Sequence, residues 1–413
     1  MASGTASGEG KEPDPIRLGI AGLGLAGAFM IRAAAVHSRF AIRAGADPLP
    51  RPRDAFTRAF GAKAYADFNE LCEDPTIDAV YIASPHEFHA EQAVRALEHG
   101  KHVVVEKPLA LTLEDCDTVI ATAERSNLQL IVGHTHGFDP NIRTIQRIVQ
   151  SGELGRLGMM LGFNYTDFLY RPRRPEELDT SRGGGITFNQ VTHQIDTVRA
   201  IGGGLVRSVR ANVGVLDQTR PTEGNCLAFL EFHNGSAASL VYSSYDFFDS
   251  DELHGWVAEG GTPKEPNTHG TARRILRSGE TPESCRQKNL AYGGRNLPTE
   301  QPYQPHFGVL IVTCEKGELR VSPEGLTLYG LEGRREIPVD RGHGRPGQGD
   351  VLDALWDAVR LGKKDFHDAR WGKATLEVAL AILQSARERR EVTLSHQVAA
   401  GDRQSARHVR DLT

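Results

Sequence analysis

From Ile16 onward, short apolar runs alternate with amphipathic stretches, a pattern that predicts βαβ units built on a mostly parallel sheet. Strands are expected over residues 16–21, 40–46, 79–83, 102–105 and 128–133. A helix over 28–36 follows the first strand, and further helices centre near Ala55, Glu91 and Glu114. The last of these opens at Thr112, with Asp115 at the spacing of a capping box. Five such strands in about 120 residues predict a doubly wound nucleotide-binding domain.

Beyond about residue 155 the pattern changes. Residues 227–232, 237–242, 308–314 and 326–329 read as strands joined by tight turns, and Asn234-Gly235 between two apolar runs is a hairpin signal. The expected fold class is α/β, with an N-terminal Rossmann doubly wound parallel sheet and a C-terminal α/β domain carrying an open, mostly antiparallel sheet. Residues 249–305 are rich in Gly, Pro and charge, with a short helix expected near 272–277, and read as either a lid or an inter-subunit arm. A helix over 371–389 carries Leu376, Leu380 and Leu383. The expected division is a disordered tail over 1–15, a nucleotide-binding domain over 16–140, a substrate-binding and oligomerisation domain over 141–392, and a tail over 393–413.

Composition narrows the class of partner. A chain of 413 residues exceeds what one core usually organises. With 48 Lys and Arg against 53 Asp and Glu, it has no basic field for nucleic acid or an anionic membrane surface, so a small-molecule partner is expected. The five cysteines, Cys72, Cys116, Cys226, Cys285 and Cys314, lack CxxC spacing and read as free thiols in a reducing compartment. The first residues lack a signal-peptide core, and no run reaches the roughly 18 apolar residues that span a bilayer. A cytoplasmic location is expected.

Gly22-Leu23-Gly24-Leu25-Ala26-Gly27 is a GxGxxG loop between a strand and a helix. Gly22 permits the tight turn, Gly24 lets the backbone approach a pyrophosphate, and Gly27 allows close helix packing, while the helix N-terminus supplies positive potential. Asp47 follows the second strand about twenty residues later, where a carboxylate accepts hydrogen bonds from an adenosine ribose. It would repel the extra phosphate of NADP, so NAD is the expected cofactor, although Arg51 and Arg53 lie close downstream. Glu106-Lys107-Pro108 ends another parallel strand, placing Lys107 beside a reacting hydroxyl; the competing reading is a solvated Glu-Lys pair. After Gly183-Gly184-Gly185, a helix would put Asn189, His193 and Asp196 on one face, with His193 as proton acceptor or relay oriented by Asn189 or Asp196. A helical histidine in that setting also has an ordinary structural reading.

Together the glycine-rich opening, Ser84-Pro85-His86 with His89, Glu106-Lys107-Pro108 and the glycine run leading to His193 resemble the glucose-fructose oxidoreductase, inositol dehydrogenase and rhizopine-catabolism (Gfo/Idh/MocA) family. The similarity runs from about Ile16 to Arg390. Within it, residues 165–179 and 185–196, with 249–256 and 305–308, resemble the branch of 4,5-dihydroxyphthalate (phthalate 4,5-cis-dihydrodiol) dehydrogenases. The resemblance implies a homodimer or homotetramer, a lysine near the nicotinamide at Lys107 and an acid/base histidine at His193. It also implies cofactor contacts at Gly22, Leu23, Gly24, Gly27, Asp47, Ser84, Pro85, His89 and Glu106. Asn189 departs from the family, which usually has Asp there, and an amide cannot take a proton.

His134, His136, Tyr165, Tyr170, Arg171, Arg173, Arg174 and Asn189 are expected on the substrate, the arginines because guanidinium groups bind carboxylates in pairs. No metal is expected, since no metal-ligand spacing is present. The expected reaction is NAD-dependent oxidation of a ring secondary alcohol, most specifically 4,5-dihydro-4,5-dihydroxyphthalate to 4,5-dihydroxyphthalate. The alternatives are a sugar, inositol or glycoside dehydrogenase of the same family and a non-catalytic NAD-binding regulator.

Overall fold

The computed structural model describes residues 14–277, 292–293, 301–342 and 345–401. Cys285, most of the expected N-terminal tail, the end of the C-terminal tail and part of the 249–305 segment lie outside them. The first apolar runs become β1 (Ile16–Ala21), β2 (Phe40–Ala46), β3 (Lys63–Tyr65), β4 (Ala79–Ile82), β5 (His102–Glu106) and β6 (Leu130–Gly133). They form one parallel sheet in the order β3-β2-β1-β4-β5-β6. The strand order reverses between β1 and β4, so the crevice outside their carboxyl ends is where a ligand fits. Pattern reading missed β3, a three-residue strand that opens on an exposed lysine and is too short to show alternation.

The second sheet has nine strands among the described residues: β7 (Leu157–Tyr165), β8 (Val206–Gly214), β9 (Asn225–Phe232), β10 (Ala237–Ser243), β11 (Val309–Cys314), β12 (Gly317–Ser322), β13 (Gly325–Gly330), β14 (Gly333–Pro338) and β15 (Val392–Thr393). Their order is β14-β13-β12-β11-β7-β10-β9-β8-β15, antiparallel except where β7 runs parallel to β10. The sequence reading found β9, β10, β11 and β13. It missed β8, β12 and β15 as well as β7, broken by glycines, and β14, an edge strand with no buried position. Along β9, Cys226, Ala228, Leu230 and Phe232 face the core, while Leu227 and Phe229 stand exposed on the other face with Met159.

The two cores meet along the helix Ala369–Glu388, where Ala369 and Leu376 pack with Val105 and Val132 of the first sheet. Val378, Ala379 and Ile382 of the same helix pack into the core of the second. A shorter helix, Gln348–Trp356, lays Val351, Leu352 and Leu355 against Met30 and Phe138. Cover for the first sheet therefore comes partly from beyond residue 345, which a single cut at residue 140 assigns elsewhere.

Residues 394–401, expected as tail, are packed instead. Leu394 and Ala400 are buried, the backbone N–H groups of Ser395 and His396 donate to the Glu377 carboxylate, and Gln397 Nε2 donates to the Ala374 carbonyl at 2.9 Å. A buried carboxylate that needs donors holds this segment down. No helix among the described residues is long and apolar enough to cross a membrane.

Candidate active site

Each glycine of the loop after β1 has a separate geometric reason. Gly22 has φ +86°, and a Cβ there would stand 2.5 Å from the Ala83 carbonyl oxygen. A Cβ on Gly27 would lie 1.9 Å from the Gly22 oxygen, so the helix Leu25–Ala35 sits hard against the turn. At Gly24 a Cβ would meet no protein atom within 4 Å, because that position opens into the cleft. The helix has no acidic residue in its first turn and no side-chain cap, which leaves its amide end free for an anion.

Asp47, buried at the end of β2, fixes this loop: Oδ2 accepts the Leu23 N–H and Oδ1 the Leu49 N–H, both at 2.9 Å. Arg53 is committed to the backbone carbonyls of Asp47 and Pro48 at 2.7 and 2.8 Å, which takes it away from a phosphate. Ser84 and Pro85 line the cleft after β4. His89, expected among the cofactor contacts, borders the same cleft with its ring committed to the fold. It is fully buried and both ring nitrogens face carbonyls, Pro108 at 2.7 Å and Ser84 at 2.9 Å, so it staples two cleft loops together.

The cleft, about 980 Å³, is walled by both domains. From β5, Glu106 accepts a hydrogen bond from the Tyr81 hydroxyl and is pushed up in pKa by burial. Lys107 Nζ donates to the backbone carbonyl of Asn189, which also accepts from Gln190 Nε2 at 3.1 Å. Burial pushes the Lys107 ammonium down to about 8 against the opposing pull of Glu106, placing its titration near neutrality.

The helix after Gly185 is not the regular one expected. Residues Thr187–Val191 form a π-turn before the α-helix Thr192–Gly202 begins, which breaks the face shared by Asn189, His193 and Asp196. Asn189 Nδ2 donates back to the Gly185 carbonyl at 2.8 Å. Asp196 turns away from His193. It accepts from Trp371 Nε1 at 2.6 Å, lies 3.3 Å from His367 Nε2, and is held at about 2: burial alone would raise it, but His134 and His367 outweigh burial.

His193 instead meets His136, ring centroids 4.8 Å apart and nearly perpendicular, with Phe307 4.9 Å from each. Its Nδ1 is buried without a partner, and burial, then Lys107 and His136, hold the ring well below its ordinary pKa. His136 Nδ1 donates to Asp139 Oδ2 at 2.7 Å; burial would lower this histidine, but Asp139 raises it.

Three of the residues expected on the substrate stand outside the cleft lining. His134 lies behind the cleft wall, 4.0 Å from Asp196, and burial depresses it to about 4. Tyr165 packs on Phe163 and Phe248, outside the cleft lining. Tyr170 is buried with its hydroxyl donating to Asp217 at 2.7 Å. Alternation along β7 explains the second case, since residue 165 falls on the face opposite the buried Asn164.

Arg171, Arg173 and Arg174 do line the cleft, each beside carboxylates: Arg171 with Asp167 at 2.6 Å and Glu259 at 3.9 Å, Arg173 with Glu177 at 3.3 Å, Arg174 with Glu176 at 2.9 Å. Sequence reading missed Asp139, Asp167, Glu259 and Arg345, all of which line the cleft. Only the spacing of His136 and Asp139, three residues apart, was a usable signal. The described part of 249–305 supplies one wall, through Asp249, Asp251, Glu259 and Lys264. The open Gly24 position, the uncapped helix end and the buried Asp47 fit a dinucleotide.

Comparison with known proteins agrees with this geometry. Residues 16–134 match the model of an oxidoreductase family with an NAD-binding Rossmann fold, and residues 142–255 match the GFO/IDH/MocA C-terminal domain. The chain is 37% identical over 402 residues to the 1-carboxy-3-chloro-3,4-dihydroxycyclohexa-1,5-diene dehydrogenase of Comamonas testosteroni, covering 95% of this chain and 100% of that protein. It is 34% identical over 155 residues to the myo-inositol 2-dehydrogenase of Thermotoga maritima, covering 37% of this chain and 45% of that one. A crystal structure described as a dehydrogenase from Bordetella bronchiseptica RB50 superposes with a TM-score of 0.89 at 49% identity, over 92% of this chain and 100% of that one. The chain belongs to the GFO/IDH/MocA family and is an oxidoreductase with an NAD-binding Rossmann domain.

Proposed function

We propose that this enzyme oxidises a ring secondary alcohol in a cis-dihydrodiol of an aromatic carboxylic acid. The observation that carries the reading is that one cleft holds Lys107, with its ammonium pushed down to about 8, together with Arg171 and Arg173. Lys107 hydrogen-bonds the hydroxyl and, as the neutral amine, takes its proton; His193 borders the same space as a neutral ring. A guanidinium edge orients the substrate through its carboxylate. Asp47, Ser84, Pro85 and the glycine loop hold the cofactor, and bound NAD supplies the hydride acceptor. Loss of the second carbinol hydrogen as a proton then gives a catechol, which makes the oxidation strongly downhill.

The Comamonas relative is named for a substrate of this class, with one carboxylate on a cyclohexadiene diol. Because Arg171, Arg173 and Arg174 each already face a carboxylate of the protein, the spare positive charge suits one substrate carboxylate better than two. The phthalate-type diacid is therefore the less favoured member of the class. A second reading, a neutral polyol, is favoured by the row of carboxylates, Glu259, Asp249 and Asp251, along the same wall, and the inositol dehydrogenase relative belongs with it. The exposed apolar face around Met159, Leu227 and Phe229 supports a homodimer or homotetramer.

The test is formation of reduced nicotinamide, read by absorbance, when purified protein and NAD are offered benzoate and phthalate cis-dihydrodiols, inositols and sugars. Turnover of a carboxylated dihydrodiol with the highest kcat/KM is expected. Turnover of neutral polyols alone overturns the reading.

A further inference from the structure

Oxidation of one CH–OH group breaks a C–H bond, whose electron pair leaves as hydride to the nicotinamide, and an O–H bond, whose proton must reach water. Asn189 cannot carry that proton, because its side chain is an amide whose NH2 is already spent on the Gly185 carbonyl. His193 has one ring nitrogen sealed without a partner, and among the described residues no carboxylate is hydrogen-bonded to it.

The groups next in line are His136 and Asp139, both on the cleft wall. Asp139 is the N-cap residue of the helix Pro140–Ser151, yet its carboxylate accepts no backbone N–H of that helix. Asp at this position ordinarily caps. Here its Oδ2 takes Nδ1–H of His136 at 2.7 Å, and the residue as a whole is 2% exposed. This fixes the tautomer of His136 and leaves Nε2 as a lone-pair acceptor.

We propose that the His136–Asp139 pair accepts the proton released by the substrate hydroxyl, filling the part that an amide at position 189 cannot. This rests on the dehydrogenase reading of the cleft and deepens it. The proton passes from the hydroxyl to the Lys107 amine and from there to His136 Nε2, giving an imidazolium held by the Asp139 carboxylate; it then leaves to solvent as His136 is deprotonated. No oxidant beyond the nicotinamide is needed.

The charged and titratable groups facing His136 are Asp139 on its own loop, His193 on the helix Thr192–Gly202, Glu106 and Lys107 at the end of β5, Glu259, and His306. Asp139 and Glu259 favour the imidazolium and Lys107 opposes it, with burial also opposing. The balance is upward. Oxidation should therefore weaken as pH falls through the His136 titration, because a protonated ring accepts nothing.

The test combines histidine NMR of the labelled full-length protein with pH profiles of H136Q and D139N. The resonance that disappears in H136Q should titrate above the ordinary value of about 6.5 in the parent and move below its parent value in D139N. Both variants should lose at least about tenfold in kcat for oxidation, change the acid limb of the profile and keep NAD affinity. A His136 that titrates at or below 6.5, or profiles in both variants matching the parent, overturns the proposal. If the parent oxidises none of the offered alcohols, the functional reading falls by itself and the NMR titration still decides the pair.

Discussion

Lys107 Nζ donates to the backbone carbonyl of Asn189, and this contact ties the end of the fifth parallel strand to the π-turn that leads into the helix Thr192–Gly202 of the second domain. The π-turn matters because it leaves that carbonyl available to a side chain. An ammonium held by one carbonyl and otherwise desolvated titrates near neutrality, as an acid–base group at a hydroxyl should.

Replacing Lys107 with Met should therefore cut kcat/KM for alcohol oxidation by at least about a hundredfold while NAD binding, measured by fluorescence titration, stays within about twofold. In the parent, kcat/KM should rise with pH and level off above about 8, as the ammonium loses its proton. Unchanged turnover in the Met variant would remove Lys107 from the chemistry.

Gly24 and Gly27 should respond differently to alanine. In G24A the added methyl projects into the cleft, so the melting temperature should hold while NAD affinity drops. In G27A the methyl collides with the Gly22 carbonyl at 1.9 Å, so the fold itself should lose stability. Equal melting temperatures for the two variants would contradict this assignment.

Asp47→Ala should weaken NAD binding by about tenfold or more, the size expected when a charged hydrogen-bond acceptor is removed. It also releases the Leu23 and Leu49 N–H groups. NADP should bind no better in the variant, because Arg53 is already held by the carbonyls of Asp47 and Pro48. Tight NADP binding in Asp47→Ala would show that the arginine is free to turn.

Arg171 is the guanidinium to test for substrate charge, since it lies between Asp167 and Glu259 on the cleft wall. Arg171→Ala should raise KM for a carboxylated dihydrodiol by about tenfold and leave kcat within a few-fold, the signature of lost uniform binding. Steady-state kinetics with a neutral polyol should show no such change. A KM for the carboxylated substrate that does not move would return Arg171 to a structural ion pair.

His367 lies buried between Asp196 and Asp365, at 3.3 and 2.8 Å. Burial would lower its pKa, but the two carboxylates raise it. A raised histidine contributes stability that is complete below the unfolded value of about 6.5 and is lost as pH climbs through the folded value. H367N should therefore cost about 3 kcal/mol at pH 6 by chemical denaturation, with the difference from the parent shrinking at higher pH. A difference that does not change with pH would show the ring to be neutral.

Much of the first domain was legible because its signals are local. GxGxxG states its own backbone requirements, and residues 18–21, 79–82 and 103–105 are buried on both faces, which forces continuous apolar runs. The strand ending at Glu106 likewise put the following lysine, Lys107, at the crevice by topology. The second domain hid more. β14 is an exposed edge, and β7 is interrupted by glycines, so neither shows clear alternation.

The sequence by itself determined the dinucleotide domain, the cofactor loop, and the placing of Lys107 and of Arg171, Arg173 and Arg174 at the crevice. The tertiary structure alone decided which polar side chains reach one another. His134, Tyr165 and Tyr170 look as suitable as His136 on paper, but strand alternation and helix packing turn them away. Asp196 looked like the partner of His193 until a π-turn and Trp371 claimed its direction. Chain periodicity fixes the face on which a residue stands. Contacts between residues far apart in the chain depend on how two separately folded sheets are docked, and no local pattern encodes that.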